Sequence, residues 1–205
     1  MKQLPQKEIG RIYDSFASHY NTAKAFLEFL LLGRLRRVLL RRAEGRVLEV
    51  GVGTGSNFEY YPEDCEVTGI EYSFGMLAKA RKHSRQLGKK MTLKQGDAQK
   101  LPFKTGSFDC VVDTLCLCTY PDPVKALREM KRVCKKGGQI LLLEHGRSSQ
   151  GFIERLQRWR AEKHYAQLGC HLLREPLELI KKAGLKIVEE KGALFGIFSV
   201  IWAKR

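Results

Sequence analysis

The sequence predicts an α/β fold, a seven-stranded, mostly parallel sheet with helices on both faces, and three observations predict it. Val47, Leu48 and Val50 make a short apolar run suited to a strand buried on both faces, and it spills into glycines at alternate positions, Gly51, Gly53 and Gly55. A second run, Val67 to Glu71, ends in a carboxylate about twenty residues farther on, where such folds hold a ribose diol. Further apolar runs, Phe108 to Asp113 and Gln139 to Glu144, alternate with segments whose apolar residues recur at helical spacing. The glycines let a ligand lie against bare main chain in a nucleotide-type cofactor site. A dinucleotide fingerprint, G-x-G-x-x-G, needs a glycine where this chain has Ser56, so hydride chemistry with NAD is disfavoured.

The 205 residues suit one α/β domain with a full core. Lysine and arginine total 37 against 22 acidic residues, a formal charge of +15, which attracts anionic surfaces or simply solvates the chain. No apolar run reaches the roughly 18 residues of a membrane span, and no cleavable signal pattern opens the sequence, so the expectation is a cytoplasmic protein. Six cysteines show neither C-x-x-C nor metal spacing, and reduced thiols with no metal are expected. Cys116 and Cys118 suit buried packing better than a redox role.

In chain order, Lys7 to about Ser18 reads as a helix with Ile9, Ile12, Tyr13 and Phe16 on one face. A second helix, Thr22 to Arg42, is expected to bend near Gly33. Its first half is an apolar block (Phe26, Leu27, Phe29, Leu30, Leu31, Leu32) and its second is cationic (Arg34, Arg36, Arg37, Arg41, Arg42). Two readings stand: an interfacial helix touching an anionic membrane, or a core helix packed through Leu35, Val38 and Leu39 with a solvated basic end. After the first strand, Ser56 to Tyr60 allows only a brief helical turn before Pro62. Ser73 caps a helix over Phe74–Leu87 whose inner face is Met76, Leu77 and Ala80.

At this point the chain resembles the class I methyltransferases that use S-adenosylmethionine. The resemblance rests on Glu49-Val50-Gly51-Val52-Gly53-Thr54-Gly55, on Glu71-Tyr72-Ser73-Phe74-Gly75-Met76-Leu77 and on Gly96-Asp97-Ala98, in that order, and spans roughly Val47 to Glu144. It implies a Rossmann-like sheet of order 3-2-1-4-5-7-6 and S-adenosylmethionine as cofactor. Gly51, Gly53 and Gly55 would then shape the loop, Glu71 would hold the ribose, and Glu49 would help hold the methionine ammonium. Met76 joins the same pocket. Tyr72 either lies on the adenine face or is wedged under the loop. Asp97, after a third strand over Met91–Gln95, would accept from the adenine amino group while the Ala98 amide donates to a ring nitrogen. Tyr13 to Asn21 resembles the N-terminal lid of methyltransferases acting on quinones and related lipophilic compounds. Residues 1–42 would then be a helical lid on a core of residues 46–205.

The stretch Thr114 to Pro121 lies where methyl group and acceptor should meet, with Thr114 and Leu115 against the cofactor. It lacks the Asn/Asp-Pro-Pro-Tyr/Phe motif of enzymes that methylate base nitrogens and offers apolar residues and cysteines instead, favouring an oily acceptor. Asp122-Pro123 opens a helix with the stripe Ala126, Leu127, Met130 and Val133, closed by Lys135 to Gly138. The fifth strand, Gln139–Glu144, delivers His145 to the carboxyl edge. There His145 either acts as general base or ties down a loop.

Phe152 to Gln167 reads as a basic helix with Trp159 and Tyr165 interleaved, suited to covering the site or to gripping phosphate. Together with Cys116–Cys118, Glu144-His145 and the Trp159 helix, Gly169 to Glu175 resembles the methyltransferase-like 7 group, which methylates small lipophilic thiols. That group carries a long hydrophobic N-terminal anchor, and this chain has only the mixed helix near Leu30. Pro176 starts a helix to about Ala183, and Leu185–Glu190 and Phe195–Ala203 complete the sheet, the last as an antiparallel strand beside the fifth. The expected function is methyl transfer to a small lipophilic acceptor: a quinone, phenol, thiol or phospholipid amine. Peripheral contact with an anionic membrane accompanies it. An RNA methyltransferase and a non-catalytic cofactor-binding scaffold are the rivals.

Overall fold

In the computed structural model, residues 3–17 and 31–205 are described. Phe26, Leu27, Phe29 and Leu30 of the second helix and the end of the lid segment fall on residues 18–30, outside the described residues, while Leu32 of the same apolar block is described and buried. The elements are α1 (Gln6–Phe16), α2 (Gly33–Leu40), β1 (Arg46–Val50), β2 (Glu66–Glu71), α3 (Phe74–Gln86), β3 (Thr92–Gln95), β4 (Phe108–Thr114), α4 (Pro123–Val133), β5 (Cys134–His145), α5 (Gly151–Leu168), α6 (Pro176–Lys182), β6 (Lys186–Ala193) and β7 (Phe198–Lys204). A 3-10 turn, Phe58–Tyr60, stands where the brief helical turn was expected.

The seven strands lie in the order β3-β2-β1-β4-β5-β7-β6, as the resemblance implies. β1 pairs in parallel with β2 on one side and β4 on the other, so Val50 lies level with Ile70 and Asp113. The loops after β1, β2 and β4 therefore leave the sheet at one edge, where α/β folds place their sites. β7 runs antiparallel between β5 and β6.

The apolar stripes explain the layers. Ala126, Leu127 and Met130 of α4 and Ile180 of α6 close on one face with Leu48, Val111 and Ile140. Leu39 and Leu40 of α2 and Leu77 and Ala80 of α3 close on the other with Val47, Val112 and Leu141. Each of these large side chains adds roughly 1.5–3 kcal/mol by leaving water. Caps set the helix starts: Ser73 Oγ accepts from the Met76 amide, and Asp122 Oδ1 accepts from the Lys125 amide at 2.8 Å.

Three boundaries differ from expectation. β5 begins at Cys134, not Gln139, because Cys134 already pairs with Phe108 and a register shift between Phe108 and Cys110 absorbs the Lys135–Gly138 segment. β6 runs on to Ala193 and β7 starts only at Phe198, because Leu194, Phe195 and Gly196 all take positive φ in the turn that joins them. The cationic block of the second helix is divided. Arg42 pairs with Glu189 at 2.6 Å and lies over the Trp202 ring, while Arg36 is buried. Leu39 packs inside as one reading required, but Val38 is exposed. Among the described residues no helix is long and apolar enough to cross a membrane.

Candidate active site

A cleft opens at the carboxyl edge of the sheet, the edge where α/β folds place their ligands. Glu49, Gly51, Gly53, Glu71, Tyr72, Met76, Ala98, Thr114 and Leu115, all expected at the site, line it. The loop after β1 is held by the Gly51 and Val52 amides, which both donate to the Ile70 carbonyl. Gly51, Gly53 and Gly55 take φ of 70°, 54° and 88°, left-handed values that favour glycine. They play different parts. A Cβ on Gly51 would meet Cys116 Sγ at 2.5 Å, and one on Gly55 would strike the Phe58 ring, so Gly55 shapes the turn without bordering the cleft. A Cβ on Gly53 would meet nothing within 4 Å. The space above Gly53 is where a ligand can rest on bare backbone.

Glu71 ends β2 with both carboxylate oxygens engaged: Oε2 accepts from the Gly53 amide and Oε1 from the Ser73 amide, each at 2.9 Å. Burial pushes its carboxyl upward in pKa, and the Ser73, Gly53 and Tyr72 amides hold it partly back. The remaining lone pairs are available to a diol. Tyr72 packs under α1 as well as lining the cleft: a Cβ on Gly10 of α1 would sit 2.7 Å from its ring. α1 contributes Gln6, Ile9, Gly10 and Tyr13 to the lining. Asp14 fastens it by accepting from Ser73 Oγ at 2.5 Å and the Gly75 amide at 2.8 Å. Leu4, just ahead of the helix, donates its amide to Tyr165 Oη of α5 at 2.8 Å.

The floor holds a network that the sequence reading missed. Arg36, 4% exposed, donates from Nη1 to Asn57 Oδ1 at 2.7 Å and Thr114 Oγ1 at 2.9 Å. Asn57 passes the chain on, donating to Glu49 Oε1 at 2.8 Å, and Tyr61 donates its hydroxyl to Glu49 Oε2 at 2.9 Å. Burial raises Glu49 to a pKa of about 7, against the lowering by Tyr61, Asn57 and Arg36. So Arg36, read as part of a headgroup-binding or solvated block, is instead a buried cation under the cleft. A buried arginine needs several acceptors, and none of those found here is near it in sequence.

The wall beyond β4 is Leu115, Cys116, Thr119 and Tyr120. Leu115 has φ of 59°, a conformation uncommon outside glycine. Below it Asp113 is fully buried, and burial pushes its carboxyl far up, as it does for Glu144. Asp97 is flanked by the cleft residues Gly96 and Ala98 but does not itself line the cleft, and its Oδ1 accepts from the Gln99 amide at 2.8 Å. His145 stands off the cleft, with Nε2 3.3 Å from Cys170 Sγ and its ring edge-on to Phe198. This placement suits tying down a loop and lends no support to a general base.

Comparisons agree with this geometry. Residues 48–142 match the methyltransferase domain family. Methyltransferase OMS1, mitochondrial, of Saccharomyces cerevisiae is 31% identical over 98% of this chain and 47% of its own length. Phosphatidylethanolamine N-methyltransferase of Cereibacter sphaeroides is 41% identical over 52% of the chain and 54% of its own length. Thiol S-methyltransferase TMT1B of Rattus norvegicus is 35% identical over 71% of the chain. The chain thus spans about half the length of the first two of these relatives and 62% of the third. A solved SAM-dependent methyltransferase of Thermotoga maritima, described as a possible histamine N-methyltransferase, superposes with a TM-score of 0.76 at 28% identity, covering 96% of this chain and 99% of its own.

Proposed function

Since the chain belongs to the class I methyltransferases that use S-adenosylmethionine, we propose that it methylates a small lipophilic acceptor: a quinone, phenol, thiol or phospholipid amine. The open space over Gly53, the Glu71 carboxylate and the buried Glu49 fit the cofactor's nucleoside and ammonium. When bound, S-adenosylmethionine supplies a methyl group activated by its sulfonium. What carries the acceptor assignment is the cleft wall: Leu115, Cys116 and Tyr120, with Ile9 and Tyr13 from α1, form a largely apolar and soft surface. Two relatives are named for a phospholipid amine and a thiol, which supports an oily acceptor. The chain's part is to align the acceptor and exclude water, and alignment alone lowers such barriers substantially.

Peripheral contact with an anionic membrane belongs to the same proposal. Its support is α5, where Phe152, Leu156 and Trp159 are exposed at helical spacing among Arg155, Arg158, Arg160 and Lys163. Methyl transfer from labelled S-adenosylmethionine should be measured over quinones, phenols, thiols and phosphatidylethanolamine, each offered in detergent and in anionic vesicles. At least one acceptor should turn over, faster from vesicles. Methylation of RNA alone, or binding of the cofactor with no transfer, would overturn the reading.

Glu49 gives cofactor binding a defined pH dependence. Its free pKa is about 7, and an ammonium beside it favours the ionised form, lowering the pKa in the complex. Below pH 7 binding must expel a proton, so affinity should fall toward tenfold per pH unit, while the cofactor's amine, with a pKa near 8, closes the alkaline side. Calorimetry from pH 5.5 to 8.5 should show a maximum near neutrality. Glu49→Gln should bind more weakly and lose the acid limb; an acid limb that persists in Glu49→Gln refutes the assignment.

A further inference from the structure

Outside the cleft, three soft or borderline donors converge from three separate segments. Cys118 lies in the connection from β4 to α4, His145 is the last residue of β5, and Cys170 lies in the connection from α5 to α6. Their ligand atoms all lie within 4.8 Å of one another, and Cys170 Sγ is 3.3 Å from His145 Nε2. Cys118 is 2% exposed, Cys170 8%, and His145 is half-buried. None of the three lines the cleft, whereas Cys116, Thr119 and Tyr120, which bracket Cys118, do.

We propose that Cys118, His145 and Cys170 form a binding site for a thiophilic cation, with zinc(II) as the occupant. Tetrahedral zinc with sulfur near 2.3 Å and nitrogen near 2.0–2.1 Å requires donor separations of about 3.5–3.8 Å. Cys170 Sγ and His145 Nε2 are already near that separation at 3.3 Å, and side-chain adjustment has to bring the remaining pairs, all within 4.8 Å, onto it. Two sulfurs and an imidazole select zinc or copper(I) over magnesium and calcium, which demand oxygen donors. On coordination each thiol releases its proton to solvent, and two thiolates neutralise the dication. That leaves the charge of the neighbouring Arg174, whose guanidinium donates to the Leu117 carbonyl, unopposed by new positive charge. The fourth position is left for water. The site binds the acceptor wall, the end of β5 and the α5–α6 connection into one unit.

The test uses the reduced full chain. Loaded with zinc(II) and freed of excess by gel filtration, it should retain one ion per chain and melt at a higher temperature than the metal-free protein. Cobalt(II) in its place should give a thiolate-to-cobalt charge-transfer band and the intense visible bands of a tetrahedral ion. Both should be lost in Cys118→Ser and in Cys170→Ser, and His145→Gln should shift the visible bands. The wild-type cobalt spectrum decides the matter if a serine variant fails to fold. No charge-transfer band in the reduced wild type, or a band unchanged in both cysteine variants, overturns the site. So does a Cys118–Cys170 disulfide in protein isolated without reductant whose reduced form takes up no zinc.

Discussion

Replacing Arg36 with alanine should destabilise the fold by about 3–5 kcal/mol, the range for removing one partner of a buried charge network. The side chain joins α2 to Asn57 and Thr114, and through Asn57 to Glu49. Without it, Asn57 Oδ1 and Thr114 Oγ1 lose a donor, and Glu49 loses the cation that helps lower its pKa. The loss should depend on pH with a definite sign. Removing Arg36 raises the folded-state pKa of Glu49 farther above its unfolded value. Well below pH 7 the carboxyl is protonated in both proteins, so only the hydrogen bonds are missing. Above pH 7 the wild type carries an ionised, compensated Glu49 and the variant cannot. The penalty should therefore grow from pH 5.5 to 8.5 in urea unfolding. Arg37, exposed on the same helix with its guanidinium 5.7 Å from the Tyr60 ring centre, is the control, and Arg37→Ala should cost under about 1 kcal/mol. Equal losses for Arg36→Ala at the two pH values would show that Glu49 is not its electrostatic partner.

Arg36 also marks where sequence reasoning stops. The glycine loop, the Ser73 cap and the Asp122-Pro123 helix start were legible because each depends on residues within a few positions of one another, and the place of Glu71 was legible because it ends an apolar run that follows the first at the spacing of a βαβ unit. Arg36 sits among other arginines on a helix, which is the pattern of a solvated basic face. Its burial depends on Asn57, 21 positions away, and on Thr114, 78 away. The Cys118, His145 and Cys170 cluster has no motif for the same reason, since three connections meet only after the sheet is built. The left-handed conformation of Leu115 is likewise invisible, because nothing about a leucine after a strand announces it. Strand ends were misjudged where tertiary pairing overrode local signals: the glycines Gly137 and Gly138 read as a helix stop, yet Cys134 ahead of them already pairs with Phe108.

Glu71→Ala should abolish cofactor binding in practical terms. A carboxylate has about four acceptor positions, and two are taken by the Gly53 and Ser73 amides, which hold the carboxylate to the loop after β1 and to the start of α3. The outer position on each oxygen, with the Tyr72 amide as a further, weaker donor nearby, is proposed to accept from a ribose diol. Losing two hydrogen bonds to a charged acceptor, at about 1.5–3 kcal/mol each, weakens binding by roughly a hundredfold to ten-thousandfold. The loop suffers as well, since both amides lose their partner. Glu71→Gln should rescue little: its NH2 group must face the Gly53 or the Ser73 amide, setting donor against donor. Asp97→Ala should weaken binding less, because one Asp97 oxygen is already committed to the Gln99 amide. Calorimetry with S-adenosylhomocysteine, on variants whose circular dichroism matches the wild type, measures all three. If Glu71→Ala binds within about threefold of wild type, a difference of some 0.7 kcal/mol, then Glu71 organises the loop and the ribose is held elsewhere.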